Sequence, residues 1–152
     1  MTSAIKAKIS EDMKTAMRSH EKDRLGTIRL ILAALKQREV DERITLSDEQ
    51  IIAILDKMIK QRRESIAQYE MGHRADLAAK EKEEISVIMQ YLPTQLSMEE
   101  IDRLIQEAIS ETGASSPKEM GKVIGLLKPK LQGRADMTIV SNKVKETLST
   151  QA

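Results

Sequence analysis

The chain contains no cysteine, tryptophan or phenylalanine, and its only aromatic residues are two tyrosines. Without cysteine, a disulfide, a thiolate metal site and a thiol nucleophile are all excluded. The scarcity of aromatic rings argues against binding of single-stranded nucleic acid, because such binding relies on base stacking. No apolar run approaches the roughly 20 residues that span a bilayer, and residues 1–14 show no uninterrupted apolar stretch. We therefore expect a cytoplasmic protein without membrane contact.

Aliphatic and charged residues make up most of the sequence. The 152 residues include nine methionines, so the core must be built from Leu, Ile, Val, Ala and Met. The formal net charge is +1, but residues 114–152 hold seven basic and three acidic residues, whereas the preceding 113 residues hold 18 and 21. The C-terminal part therefore carries a modest positive field, weaker than that of a dedicated nucleic-acid-binding domain.

The apolar pattern is helical almost throughout. Its stripes recur every three or four residues, and no stretch shows the period-two alternation of a β-strand. Ser47 and Gln50 have the spacing of a capping box, which predicts a helix start there, and Gly72 marks the expected end of that helix. Seven helices are predicted in all, so the expected fold class is all-α and multihelical.

Pro93, in the segment YLPTQLS (91–97), marks the predicted domain boundary. Proline cannot continue a helix, and it disfavours helix at the residue before it. We predict a four-helix N-terminal subdomain over residues 1–92 and a three-helix C-terminal subdomain over residues 97–152, joined by a linker at 93–96.

The segment MGKVIGLLKPKLQGRAD (120–136) holds three of the six glycines and four basic residues. A Walker-type phosphate loop is excluded, because Gly121-Lys122 is followed by Val123 instead of serine or threonine, and a helix start precedes it instead of a strand. Proline is favoured in the first turn of a helix, so we expect one helix from Pro117 to Gly133.

On such a helix, Gly121 and Gly125 lie on one flank, away from the apolar face, with Lys118, Lys122 and Lys128 on the same side. Glycine costs roughly 1 kcal/mol relative to alanine inside a helix, so two glycines on this flank predict that something approaches closely. A neighbouring helix of the same chain is one explanation. A phosphate backbone attracted by the lysines is the other.

Longer motifs resemble a known family over essentially the whole chain. Three stretches are similar to the YqeY family of small bacterial proteins, namely DRLGTIRLILAALKQREV, RRESIAQYEMGHRADLAAKEKEE and YLPTQLS. Residues 97–150 also resemble the C-terminal tail domain of GatB, a subunit of the tRNA-dependent Asp/Glu amidotransferase, through Gly121, Gly125, the run Gly133-Arg134-Ala135-Asp136 and Val140. The resemblance implies a multihelical protein with two subdomains of four and three helices.

In the amidotransferase, the tail domain leans on the outer corner of the tRNA while distant domains do the chemistry. The resemblance therefore implies a non-catalytic tRNA-binding or tRNA-metabolism accessory protein, with tRNA as its partner. The residues that it implies at the RNA-facing surface are Lys118, Gly121, Lys122, Gly125, Lys128, Lys130 and Arg134. The alternatives are a protein–protein adaptor that uses the glycine flank of helix 116–132, or a component that works only with amidotransferase subunits.

Family labels describe some such chains as carbon–nitrogen ligases with glutamine as amido donor, but the residues supply no catalytic centre. Ammonia release from glutamine needs a nucleophile, and neither a cysteine nor the clustered Ser and Lys of an amidase is present. The sequence also offers no ATP cradle and no acidic metal cluster, so we expect no catalytic residue, no metal and no cofactor.

The remaining polar candidates are interpreted as surface residues. His20 and His73 are expected in loops, since two histidines alone are too few for a metal site. A second set of basic residues on the second and third helices is interpreted as ion-paired surface, with a patch for RNA or protein as the alternative. Its members are Arg24, Arg29, Lys57, Lys60, Arg62 and Arg63.

Overall fold

The computed structural model describes residues 3–151. Over this range the regular structure consists of seven α-helices with one short 3-10 turn and no β-strand, which confirms the all-α prediction for the described residues. The helices are α1 (Ala4–Arg18), α2 (Lys22–Glu42), α3 (Asp48–Met71), α4 (Ala75–Met89), α5 (Met98–Thr112), α6 (Met120–Leu131) and α7 (Met137–Gln151). The 3-10 turn spans Pro117–Glu119 and directly precedes α6.

Side-chain caps set the start of α3, as predicted. The hydroxyl of Ser47 accepts the Gln50 N–H at 3.2 Å, and the Gln50 side-chain oxygen accepts the Ser47 N–H at 2.9 Å. The helix ends at Met71, directly before Gly72. However, the residue with left-handed backbone is His73, at φ 57°, and not the glycine.

The chain forms two compact units, Met1–Leu92 and Pro93–Ala152. In the first unit, α1 to α4 enclose a single aliphatic core. Its largest fully buried side chains are Ile9, Ile28, Ile31, Leu35, Leu46, Ile51, Leu55, Ile59 and Ile88. Each such side chain contributes about 1.5–3 kcal/mol when it is transferred from water, so this core stabilises the four helices together.

Two polar contacts reinforce the first unit. The phenol of Tyr91, which is buried, donates a hydrogen bond to Asp12 at 2.6 Å, and burial raises the pKa of this phenol. The carboxylate of Glu39 accepts from the Lys6 ammonium at 2.6 Å and from the Leu46 N–H at 3.0 Å. Helices α1 and α2 and the segment before α3 are thereby joined at one point.

In the second unit, α5, α6 and α7 surround a separate core. Its buried members recur at helical spacing and include Ile101, Ile105, Ile109, Val123, Leu127, Leu131, Val140, Val144 and Leu148. The start of α5 is capped by Ser97, whose hydroxyl accepts the Glu100 N–H at 3.2 Å. Asp136 accepts the Thr138 N–H at 3.0 Å directly before α7. The buried residues of α6, the helix that carries most of the candidate site, pack in this core with those of α5 and α7.

Candidate functional site

Helix α6 buries one face and exposes the other. Val123, Leu127 and Leu131 are completely buried, whereas Gly121 and Gly125 are exposed. A Cβ atom added to either glycine would meet no heavy atom of another described element within 4 Å. Within the unit Pro93–Ala152, packing by a neighbouring helix, the first of the two explanations that the sequence left open, therefore does not account for these glycines.

Pro129 does not explain the glycine at 125 either. A proline at this position has no N–H to donate to the carbonyl of Gly125, and its ring crowds that region of the helix. Yet no side-chain atom among the described residues, the proline ring included, lies within 4 Å of a Cβ built on Gly125. An alanine would therefore fit, and neither the packing nor the proline requires glycine at this position.

Lys122 and Lys128 border these two glycines. At 100° per residue, Lys122 lies about 100° to one side of Gly121 and Lys128 about 20° to the other, with Gly125 between them. Both lysines are exposed. We call the surface formed by Gly121, Lys122, Gly125 and Lys128 the glycine flank; it consists of accessible helix backbone with an ammonium group on each side.

Two other predicted lysines lie off this flank. Lys118 is in the 3-10 turn before α6, so the predicted continuous helix from Pro117 is wrong in its first turn. Lys130 lies about 140° around α6 from Gly125, on a different side of the helix. Both residues are exposed. They add positive charge around α6, and Lys118, three residues before Gly121 in a 3-10 turn, lies beside the N-terminal end of the flank.

A tight turn follows α6. The Arg134 N–H donates to the Leu131 carbonyl at 2.9 Å, with Gln132 at φ −59°, ψ 124° and Gly133 at φ 77°. These are the angles of a type II β-turn, whose third residue needs a positive φ and therefore favours glycine. Unlike the two glycines of the flank, Gly133 is required by the backbone itself.

The same turn holds the segment before α5. The Leu96 N–H donates to the Arg134 carbonyl at 2.9 Å, and the Gln95 side-chain amide donates to the Gly133 carbonyl at 2.6 Å. In return, Nε of Arg134 donates to the Thr94 carbonyl at 3.3 Å. Arg134, which the sequence assigned to the RNA-facing surface, is half-buried and has this structural contact, whatever else its guanidinium group binds.

Acidic groups limit the positive field around α6. Glu119 accepts the Ser115 N–H at 2.6 Å, and this hydrogen bond, with a smaller contribution from Lys122, lowers the pKa of Glu119. The unit Pro93–Ala152 contains eight basic and eight acidic residues, five of the acidic ones on α5. Charge is therefore segregated within the unit, and α6 lies in its basic part.

The second set of basic residues is partly ion-paired, as the sequence analysis expected. Arg62 lies 2.8 Å from Glu84 and 3.8 Å from Glu81, and Arg24 lies 3.7 Å from Asp12. The lysines of this set are different, because neither forms an ion pair with any residue that the structure describes. They are Lys57 and Lys60, both exposed on α3.

The two histidines lie at helix ends. His20 follows α1 and His73 follows α3, both exposed and with φ near 56° and 57°. Within residues 3–151, no group of three or more His, Asp or Glu side chains is arranged to hold a metal ion. Among the described helices, none combines the length and hydropathy that crossing a bilayer demands.

A groove in the unit Met1–Leu92 was not predicted from the sequence. Helices α2 and α4 border a cavity of about 800 Å³, whose lining includes Gly26 and Leu30. Leu30 is 50% exposed although it lies on a helix that buries much of its surface. Apolar residues on α2 could have indicated this surface. The sequence alone does not show which of them are exposed, because that depends on the face of α2 that packs against the core.

Comparisons with known proteins place the chain in a family. The family model described as "Yqey-like protein" matches residues 6–148. A protein of Pyrenophora tritici-repentis named "Altered inheritance of mitochondria protein 41, mitochondrial" is 30% identical over 95% of this chain and 81% of its own length. Relatives of the same name from Kluyveromyces lactis and Vanderwaltozyma polyspora are 32% and 34% identical over 78% and 68% of this chain.

The matches cover 66% and 57% of the latter two proteins, so this chain spans less than two thirds of their lengths. The family match, in contrast, begins within α1 and ends within α7, and thus includes every helix described above. On this evidence the chain belongs to the YqeY family.

Proposed function

We propose that this YqeY-family chain is a non-catalytic tRNA-binding or tRNA-metabolism accessory protein that contacts folded RNA through the glycine flank. The observation that carries the proposal is the accessibility of Gly121 and Gly125, which lie between two exposed lysines with nothing within 4 Å of an added Cβ. Bare backbone allows a ligand to approach more closely than side chains would, and the bordering ammonium groups attract phosphate.

Folded RNA fits this surface better than a single strand does. The chain has only two aromatic residues, and Tyr91 is buried against Asp12, so a row of stacking platforms is not available. Double-stranded regions of RNA are recognised largely by shape and by contacts to phosphates and 2′-hydroxyls. Low affinity is expected, because few cations lie near the flank. Lys118, Lys130 and Arg134 are proposed as peripheral contacts.

A protein–protein adaptor is the second candidate. The same accessible glycines would also let a helix of another protein pack closely on α6, and the half-buried Ile124 and Leu126 beside the flank offer apolar contact area. A component of an amidotransferase, whose chemistry resides in the other subunits, is the third candidate. It predicts no amide transfer by the isolated chain and a gain when those subunits are added.

Salt dependence separates RNA from a protein partner. We expect a fluorescence titration with tRNA to show affinity that falls about 30- to 60-fold between 50 and 200 mM salt, the loss for about three phosphate contacts. Contact with a partner helix should change far less. The site is tested with Lys122→Glu/Lys128→Glu, and the matched control is Lys14→Glu/Arg18→Glu, which reverses two exposed cations on α1 that belong to no candidate surface.

Loss of tRNA binding in Lys122→Glu/Lys128→Glu, with the affinity of the control variant unchanged, would support the assignment of the glycine flank as the binding site. Equal tRNA affinity in the wild type and both variants would remove the glycine flank from the proposal. If the wild type shows no tRNA binding at low salt, the function itself is refuted.

We also propose that the four-helix and three-helix parts are separate subdomains with a linker at residues 93–96. If so, residues 93–152 expressed alone should retain a cooperative melting transition. A cytoplasmic location is a further proposal, tested by fractionation of the native host; "mitochondrial" is part of the names of the fungal relatives.

A further inference from the structure

The groove between α2 and α4 lies within the unit Met1–Leu92 and is separate from the glycine flank. Its cavity of about 800 Å³ is open along one side of α2, where Gly26, Thr27 and Leu30 form the wall. The opposite wall, formed by α4, carries more acidic than basic groups: Asp76, Glu83 and Glu84 line it together with Ala79 and Lys80. A Cβ atom added to Gly26 would meet no heavy atom of another described element within 4 Å, so the groove has open space beside this glycine.

Small and apolar residues continue along α2 beyond the groove. Gly26, Leu30, Ala33 and Val40 are all exposed, and Leu30 and Val40 retain 50% and 63% of their accessible surface. Their separations of four, three and seven residues match the a and d positions of a heptad repeat. This seam faces away from the core of its own unit, which is the geometry of a helix that pairs with another helix.

Positive charges follow the seam at the same repeat. Lys22, Arg29 and Lys36 are exposed and lie seven residues apart, which is about 10.5 Å along the helix axis. Around the helix axis, these three residues lie about 80° to 120° from Leu30. They are on the side of the seam opposite Thr27, which is buried and lines the groove. None of the three forms an ion pair with a residue in the described range. We call these three residues the basic row.

We propose that this surface binds one amphipathic helix of another protein, with small or apolar residues on its seam, acidic residues at seven-residue spacing facing the basic row, and no acidic residue on the flank that faces the α4 wall. The charge pattern favours this occupant, because flanking charges that repeat with the seam are the means by which paired helices select partners. A nucleic acid would use the cations, but it would leave the apolar seam without a partner.

A second copy of the chain is a poorer match. In a symmetric antiparallel pair of α2 helices the two basic rows would face each other, and in a parallel pair each row would face Thr27, Ala34 and Asp41, only one of which is acidic. Like charges in register destabilise such pairs. The inference concerns a surface of the other unit, so it does not rest on RNA binding by α6.

The test uses two synthetic labelled peptides of 21 residues, the length of α2. Both carry a Leu/Ala heptad seam; one has Glu at every seventh position on one flank, and the other has Lys there. In anisotropy titrations with the full chain, the Glu peptide should bind at least about tenfold more tightly than the Lys peptide. Arg29→Glu/Lys36→Glu should reverse this preference.

Steric and apolar variants test the groove itself. Leu30→Gln removes the exposed apolar contact, and Gly26→Leu places a side chain in the open space of the groove. Each substitution should lower the affinity for the Glu peptide by about tenfold or more. The control Lys14→Glu/Arg18→Glu makes the same charge change on α1 and should leave the affinity unchanged. Circular dichroism and melting curves verify that every variant is folded.

Equal binding of the two peptides, no detectable binding of either, or unchanged affinity in folded Leu30→Gln would each overturn the inference. Sedimentation that shows a dimer of the wild type and a monomer of Leu30→Gln would assign the surface to a second copy. If Arg29→Glu/Lys36→Glu abolishes tRNA binding while Lys122→Glu/Lys128→Glu retains it, the basic row binds RNA and the helix proposal is wrong.

Discussion

Replacing Gly125 by alanine should raise stability and weaken RNA binding in the same protein. Gly125 lies in the middle of α6, where glycine is about 0.8–1.0 kcal/mol less favourable than alanine. A steric penalty is not expected, because a Cβ built at this position meets no described atom within 4 Å. We therefore expect Gly125→Ala to increase the free energy of unfolding by about 0.7–1 kcal/mol.

Thermal denaturation followed by circular dichroism measures the stability effect. If the unit Pro93–Ala152 melts as its own transition, a gain of this size raises its Tm by about 3–8 °C. The control is Gly133→Ala in the same unit, where the positive φ of 77° makes alanine unfavourable by about 1–2 kcal/mol. The same chemical change should therefore shift the Tm in opposite directions at the two positions.

The binding effect is measured by tRNA titration of the same variants. A methyl group at residue 125 lies between Lys122 and Lys128 and keeps a phosphate further from the backbone. Gly125→Leu extends this obstruction and should weaken binding by about fivefold or more. Destabilisation by Gly125→Ala would show that the flank is not open, and wild-type tRNA affinity in Gly125→Leu would show that RNA does not contact it.

Three further substitutions test contacts elsewhere in the molecule. Tyr91→Phe removes the hydrogen bond to Asp12 and should lower the free energy of unfolding in urea by about 1.5 kcal/mol; no change would mean that the bond contributes nothing. The hydrogen bond from Lys6 lowers the pKa of Glu39 below 4.5, so its contribution to stability is present at neutral pH and is lost as the pH falls through the lowered value. Glu39→Gln should accordingly be less stable at neutral pH and should show a flatter acid decline in pH-dependent denaturation. His73 has a left-handed backbone conformation, which glycine adopts without strain. His73→Gly should therefore increase the free energy of unfolding by about 1 kcal/mol, and a lower Tm would contradict this expectation.

The helices could be predicted from the sequence because their signals are local. Ser47 and Gln50 make the two reciprocal bonds that their spacing predicts. The start of α6 was harder, since Pro117 satisfies the rule for a first helical position equally well in a 3-10 turn. There Glu119 accepts the N–H of Ser115, two residues before Pro117, and no side chain caps the turn.

Contacts between distant parts of the chain could not be predicted. Arg134 was assigned to an RNA-facing surface on its charge and position, yet its Nε lies against the carbonyl of Thr94, 40 residues earlier. The groove beside Leu30 was missed for a similar reason. A leucine at helical spacing predicts burial, and only the arrangement of α2 and α4 leaves this one half exposed.

The three glycines of α6 and its turn differ in what the fold demands of them, and this difference supports the proposal of an RNA contact on α6. A likeness of fold alone would require glycine at Gly133, where the type II turn needs a positive φ. It would not require glycine at Gly121 or Gly125, where helical backbone and open space would accept alanine with a gain in stability. A residue that costs stability and has no structural purpose within its own unit points to a contact outside that unit. The RNA proposal therefore rests on the two glycines that the fold does not need, and the charges beside them decide between phosphate and a partner helix.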